Sequence, residues 1–356
     1  MRFHMHLLPT YFPDLDPPFD IFYQQILEQI CLAEELGWEC FWFTEHHFAL
    51  YGGPEPNPAV FLGAAAARTS RIHLGSAVSI LPLHHPIQIA EDYAMVDVLS
   101  RGRLEFGIGL GNTPSDFLVY GVPREEARPR FEEEGEIIAR AWAQDRFSYA
   151  GRFWDFKDVC IYPRPVQQPS PRIWVAGHSP ESLGWAGRHG FNIMITAHPY
   201  PPEHYPRAID AWRDGLGAAG LTPKDRNCKV HLRVWVDENA ERAREVAQAA
   251  ILRYDELAAI GRGRTDFDPS TYDFSGMLAT GRNVYGNPDQ CIAGIRNAMA
   301  HYEFDIFSTT FNFGGIPHAD IMRAMRLFAR EVMPAFKGVE RTMEPRDRAT
   351  RVGPTG

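Results

Sequence analysis

Short apolar runs alternate with longer stretches of helical spacing along most of the chain. RFHMHLL opens the series as a strand-like run. Phe22, Ile26, Ile30 and Ala33 then recur at helical spacing until Gly37, a stop signal. CFWFT, RIHLGSAVSIL and RLEFGIG read as strands two to four, with the helical stretches PAVFLGAAAARTS and IQIAEDYAMVDVLS between them. A polar helix is predicted from about Glu125 to Ala143, before the Pro- and aromatic-rich segment GRFWDFKDVCIYPRPVQQPSP. RIWVAG, FNIMIT and KVHLRVWV supply strands five to seven. FDIFSTTF, after the helix of NPDQCIAGIRNAMA, is the eighth. A closing helix sets Ile321, Met322, Met325, Phe328, Ala329 and Val332 on one face.

Strict alternation of strand and helix implies parallel strands, because each helix carries the chain back to the same end of the sheet. Eight such units predict an α/β fold over residues 1–336, a (β/α)8 TIM barrel with insertion segments after strands four and seven. A doubly wound open sheet is the alternative. Residues 262–286 are long and rich in Gly, Asp and aromatics, as expected of a lid or pocket wall. Residues 337–356 are expected to form a polar, disordered tail.

Composition narrows the partners. Hydrophobic residues make up 45% and charged residues 23%, a balance that supplies a large core. The net charge of −9, with Lys and Arg scattered, argues against nucleic acid and anionic membrane as partners. No apolar run is long enough to span a bilayer. Cys31, Cys40, Cys160, Cys228 and Cys291 lie far apart without a C-x-x-C pair, which suggests reduced thiols. The opening MRFHMHLLPTYFPDLD lacks the zones of a signal peptide, so a cytoplasmic protein is expected.

In a barrel of this kind chemistry belongs at the carboxyl ends of the strands. Strand two ends in Thr44, Glu45, His46 and His47, and strand three runs into His84 and His85. A histidine beside a carboxylate suits general acid/base work, though a buried histidine bonded to backbone is the plain alternative. In AGHSPES, Ser179 is placed as N-cap, Pro180 as the first helical residue and Ser182 within the first turn. Such a helix start either binds an anion such as phosphate or is simply capped. In FGIGLGN, Gly107, Gly109 and Gly111 miss the dinucleotide spacing. They fit a strand end stripped for a flat ligand, or a glycine-rich turn. His4-x-His6 with His178, His198 and Asp305 suggests the ligand set of metal-dependent hydrolases. His4, however, sits early in its strand and Asp305 begins one, so no metal is assigned. His4 and His6 are expected to fill the barrel interior.

Taken in order, EHHF, HLGSAVSILPLHHPIQIAEDYAMVDVLSRGRLEFGIGLG, PRIWVAGHSPES, NVYGNPDQCIAGI and FAREVMPAF resemble the bacterial luciferase-like flavin monooxygenases. The likeness covers nearly the whole chain to Phe336. It implies the same barrel, and reduced FMN delivered by a flavin reductase to react with O2. His46 matches the family's catalytic histidine, with Glu45 orienting a histidine. The flavin ring is expected against Ser76, Ala77, Val78, Gly109, Leu110, Gly111 and Asn112, with a cis peptide at Ala77–Val78. Its phosphate is expected near Ala176, Gly177, His178, Ser179 and Ser182. Gly109 and Leu110 stand where luciferases carry Cys and Arg, so light emission is not expected and the flavin should bind transiently. Phe48, Phe311 and Phe313, with the aromatic loop Tyr272 to Phe274, are expected to line a pocket for a small apolar or cyclic substrate. Relatives pair through helices beside strands two and three, so a homodimer is expected. Three rival readings are a deazaflavin-dependent hydride transferase, a metal-dependent hydrolase and a non-catalytic flavin-binding subunit. The intact EHHF argues against the last.

Overall fold

The computed structural model describes residues 1–52, 54–264, 266–340 and 343. Its strands are β1 (Arg2–Leu7), β2 (Cys40–Phe43), β3 (His73–Ser76), β4 (Ser79–Ile80), β5 (Leu104–Gly109) and β6 (Phe147–Ala150). They continue with β7 (Asp155–Val159), β8 (Arg172–Ala176), β9 (Asn192–Thr196), β10 (Cys228–Val236), β11 (Asn283–Gly286) and β12 (Ile306–Thr310). Eight of these close a parallel barrel in the order β1-β2-β3-β5-β8-β9-β10-β12, and β12 pairs back onto β1 with His4 opposite Ser308. The predicted (β/α)8 barrel is therefore the fold, and the open sheet is excluded by that closing pair.

Alternation along each strand divides the barrel into an inner and an outer layer. On β12, Thr310 turns inward: its hydroxyl donates to the His6 carbonyl at 2.8 Å and lies 2.6 Å from His231 Nε2. Phe307 and Phe311 turn outward, onto Phe3 and onto Trp38 and Phe328. Outside β5, Phe106 packs on Tyr93 and Trp142 at 4.5 and 4.9 Å between ring centres. Those two come from the helices Pro86–Ser100 and Ala127–Ala143. Each fully buried aromatic of this kind contributes about 1.5–3 kcal/mol.

The interior carries polar side chains, as expected of His4 and His6. Trp42 Nε1 donates to His4 Nδ1 at 2.9 Å, and His6 stacks on His231 at 3.9 Å. Burial, with nearby cations, holds these three histidines well below their usual pKa and therefore neutral. Lys229 Nζ sits 4.0 Å over the Trp42 ring, and burial lowers its pKa to about 7.

Two insertions depart from the plain barrel. After β5 come the short helix Pro114–Tyr120, the helix Ala127–Ala143 and the antiparallel hairpin β6–β7. The Glu133 carboxylate ties that hairpin down by accepting from the N–H groups of Arg152, Phe153 and Trp154. Periodicity did not predict the hairpin, because β7 is exposed or half-buried throughout and lacks a clean apolar face. After β10 the long segment forms the helix Phe274–Ala279 and then β11, which adds to the open upper half of β10. The closing helix His318–Leu327 continues through a π-helical turn, Phe328–Val332, with Ile321, Met325, Phe328 and Val332 buried. Of the expected tail, residues 337–340 and Met343 are described, and the rest lies outside the described residues. Met343 is buried, and its carbonyl accepts from Arg213 Nε at 2.9 Å. No described helix is long and apolar enough to cross a membrane.

Candidate active site

Glu45 is the hub of the loop after β2. It is buried, and its Oε1 lies 3.0 Å from His47 Nε2 and 2.6 Å from His84 Nε2. Oε2 accepts from the Ile80 N–H at 3.0 Å. Burial works to raise the Glu45 pKa, but the hydrogen bonds from His47, His84 and Ile80 outweigh it and bring the pKa to about 2. The His84 pKa moves the other way, with burial overcome by the same carboxylate. One carboxylate thus ties the ends of β2 and β4 to the turn Leu81–Leu83. Tyr120 OH, 3.3 Å from His47 Nδ1, extends the network to the β5 insertion. Glu45, His47 and His84 also place one ligand atom each within 4.8 Å of one another, the spacing of a possible metal group.

His46 is free of that network. Its backbone N–H donates to the Glu55 carbonyl at 3.1 Å. Among the described residues nothing hydrogen-bonds to its ring nitrogens. The Tyr51 ring meets the imidazole edge-on at 5.5 Å. Gly52, at φ +71°, folds the loop over the ring; a Cβ there would lie 2.7 Å from His46 Cδ2. Burial, then the Arg262 charge, brings the His46 pKa down to about 4, against the pull of Glu45. At neutral pH the ring is therefore uncharged, with one nitrogen available to accept a proton and the other to donate.

Just beyond β3, the peptide between Ala77 and Val78 is cis, where the resemblance placed it. The Ala77 N–H donates to the Phe43 carbonyl at 2.7 Å. Ser76 Oγ donates to the Gly107 carbonyl at 2.8 Å and accepts from the Gly107 N–H at 3.0 Å. The glycines of β5 now have a different reason. A side chain at Gly107 would collide with the Ser76 carbonyl oxygen, and one at Gly109 with the Val78 side chain. They are small so that the 76–78 segment can lie against β5, and that packing in turn shapes the surface a flat ligand would meet. Leu110 is half-buried against Ile80, Leu83 and Phe117; Gly111 has φ +78°, and Asn112 is exposed at the rim.

A third group lies where β8 meets the helix Pro180–Arg188. Ala176 and Gly177 end the strand, His178 stacks on Tyr200 at 4.6 Å, and Ser179 caps the helix by accepting from the Ser182 N–H at 3.3 Å. Arg128, from the helix Ala127–Ala143, donates through Nη2 to Ser182 Oγ at 3.1 Å. Its buried Nη1 has no hydrogen-bond partner, although the Glu132 carboxylate lies 3.6 Å away. Two hydroxyls, the positive end of the helix dipole and one guanidinium fit an anionic group such as a phosphate. Arg128 was invisible in the sequence because it lies outside the motif, on another element.

Several expected site residues are placed elsewhere. Phe311 and Phe313 are buried in the outer core, with Phe311 against Trp38 and Phe328. The inward turn of Thr310 sends Phe311 out of the barrel, away from a pocket at the mouth. Phe48 remains there, 60% exposed with φ 56°, beside His47 and Tyr120. Tyr272 also lies near the mouth, donating to Asp255 at 2.7 Å. The residues of the hydrolase-type metal set are not brought together. Asp305 pairs with Arg2 and accepts from the Cys228 N–H at the opposite end of the barrel, while His4 is bonded to Trp42.

Known proteins resemble this chain in fold and sequence. A crystal structure of a monooxygenase from Streptomyces bottropensis superposes with a TM-score of 0.88 at 31% identity, covering 94% of this chain and all (100%) of that one. The oxygenase component of a flavin-dependent trigonelline monooxygenase from Acinetobacter baylyi is 34% identical over 176 residues, 49% of this chain and 48% of that protein. An F420-dependent glucose-6-phosphate dehydrogenase from Kineococcus radiotolerans is 32% identical over 219 residues, 60% of this chain and 64% of that protein. The luciferase-like monooxygenase family matches residues 1–301. With its barrel closed and its polar groups gathered at one mouth, the chain belongs to that family of flavin-dependent monooxygenases and F420-dependent oxidoreductases.

Proposed function

We propose that the protein is the oxygenase of a two-component monooxygenase that takes reduced FMN from a flavin reductase and uses O2 to oxygenate a small organic molecule. The observation that carries this reading is the anion cradle of Ser179, Ser182 and Arg128 at the end of β8, together with an unbonded, neutral His46 at the end of β2. FMN ends in a phosphate, which the cradle would hold. Deazaflavin F420 continues past its phosphate into an acidic tail. Here that tail would meet Glu132 beside Arg128 and Glu181 in the first turn of the helix, so the charges favour the shorter cofactor.

When bound, reduced flavin supplies the electrons that activate O2. The chain's own part is positioning, shielding and proton handling. The 76–78 segment and the 109–112 turn would support the ring. Phe48 and Tyr120 keep an apolar rim that limits water. His46, held neutral, would take up or return a proton at its unbonded ring nitrogen. Glu45 is a positioning residue: its contacts are His47, His84 and Ile80, which fix the loop that presents His46.

Two further expectations belong to this reading. Val60, Met95, Val98 and Leu99 are exposed apolar residues on the neighbouring helices Pro58–Arg68 and Pro86–Ser100, which supports a homodimer through that face. Five free cysteines without a disulfide fit a cytoplasmic setting. The cradle is tested by Arg128→Gln. Binding of FMN, followed by flavin fluorescence, should weaken about tenfold, the worth of one charge-assisted bond, with the melting temperature unchanged. Unchanged affinity would remove Arg128 from the cofactor site.

A further inference from the structure

The side of the mouth formed by β9, β10 and β11 is lined with cations. Arg233 is buried on β10, its guanidinium 4.4 Å over the Tyr254 ring and paired with Asp255, and its Nε has no partner. His198, just beyond β9, meets the His231 ring edge-on at 5.6 Å, and its buried Nδ1 is also unpartnered. Arg282, which leads into β11, donates through Nη2 to the His198 carbonyl at 2.6 Å, while its buried Nε bonds to nothing described. Arg262 stands at the rim, 5.3 Å over the Tyr51 ring and donating to Tyr51 OH at 3.2 Å. Tyr51 is also the ring against His46 and reaches Tyr254 OH at 3.5 Å. A chain of contacts therefore joins His46 to this cationic wall.

The charges there are not balanced. Asp255 is the carboxylate paired with Arg233, and among the described residues neither Arg262 nor Arg282 has an ion-pair partner. Glu55, whose carbonyl accepts from the His46 N–H, has its pKa pushed well up by burial, and its carboxyl bonds to the Thr44 hydroxyl, not to an arginine. Converging guanidinium groups repel one another, and buried donors left unpaired are costly. Both costs are relieved by an anion placed among them.

We propose that the substrate carries a carboxylate, received by Arg282 and Arg262 beside His198, with the body of the molecule directed along Tyr51 toward His46. A planar, singly charged group suits two guanidinium forks when Asp255 already takes up Arg233. The assignment of this anion to a substrate rests on the oxygenase reading, in which the flavin phosphate occupies the separate cradle at β8. It modifies the expectation of a purely apolar substrate: an apolar or cyclic body with one charged end.

The test needs no turnover. Benzoate and its neutral analogue benzamide are titrated calorimetrically into the flavin-free protein, into Arg282→Gln and into Arg262→Gln, with FMN then added as competitor. Benzoate should bind at least about tenfold tighter than benzamide, and that preference should fall about tenfold in Arg282→Gln. Arg262→Gln, at the exposed rim, should show the same direction, with its melting temperature measured alongside. Equal binding of the two probes, undetectable binding of benzoate, or a preference that survives both substitutions overturns the proposal. Displacement of benzoate by FMN overturns it too, by giving this wall to the cofactor's phosphate. Failure of FMN to bind anywhere would sink the oxygenase reading while leaving the benzoate isotherm intact.

Discussion

Glu45 and His46 are neighbours with opposite tasks. Glu45 spends both oxygens on His47, His84 and Ile80, whereas His46 keeps its ring free. Glu45→Gln leaves two histidines without their carboxylate, a loss of about 3 kcal/mol for a broken buried pair. A urea melt should show it as a lower midpoint at unchanged slope; an unchanged midpoint would mean that solvent replaces the bonds. The pH response follows from the directions of the shifts. Glu45 has its folded pKa depressed to about 2, so its stabilisation is complete above the unfolded value near 4.5 and is lost as pH falls from there toward 2. His46 is lowered to about 4, so the unfolded chain binds the extra proton first, and stability declines as pH falls from about 6.5 toward 4. Stability followed from pH 7 downward should thus fall in two stages, and His46→Gln should shrink the upper one by its own share, leaving the part that belongs to the buried His4, His6 and His231. The place of both residues at the end of β2 was legible in EHHF. His84 was visible at a strand end, but the bond joining it to Glu45 spans distant positions that one sequence cannot connect.

At the scale of elements, the contact between the 76–78 segment and β5 does most to shape the site. Gly107→Ala would drive a methyl into the Ser76 carbonyl oxygen, where backbone and not a flexible side chain must yield. A marked fall in melting temperature with loss of FMN binding is expected; normal behaviour of both would show that the segment can retreat at little cost. Phe106→Ala, on the outer face of the same strand, should cost about 3–5 kcal/mol through its cavity and yet leave FMN affinity intact in the folded fraction. The strands were readable because inward and outward positions alternate and helices separate them. The same alternation places Phe311 outward once Thr310 is known to face the barrel axis. A run as apolar as FDIFSTTF does not announce which parity is inner. The β6–β7 hairpin escaped for the opposite reason, since it has no apolar face and is held by the carboxylate of Glu133.

The whole molecule brings together groups that are far apart in the chain. Arg128 reaches the Ser179–Ser182 helix start from one insertion, while Arg262 and Arg282 flank the other. Barrel closure, with β12 hydrogen-bonded to β1, puts all of them at one mouth. The fold could be read from periodicity, and the capped helix start from its serines, but the arginines could not, because nothing local marks them. The homodimer is a statement at this scale. Leu99→Glu, on the exposed face of the helix Pro86–Ser100, should shift sedimentation from dimer to monomer; a wild-type protein that sediments as a monomer would refute the dimer outright. Cofactor choice is the central matter. The flavin-free protein should be titrated anaerobically with reduced FMN and, separately, with reduced F420, and each complex then mixed with O2. Reduced FMN should bind at least about tenfold tighter, and its complex should consume O2. Preference for F420, with no O2 uptake, would contradict the oxygenase reading and make the protein a hydride-transfer enzyme built on the same barrel.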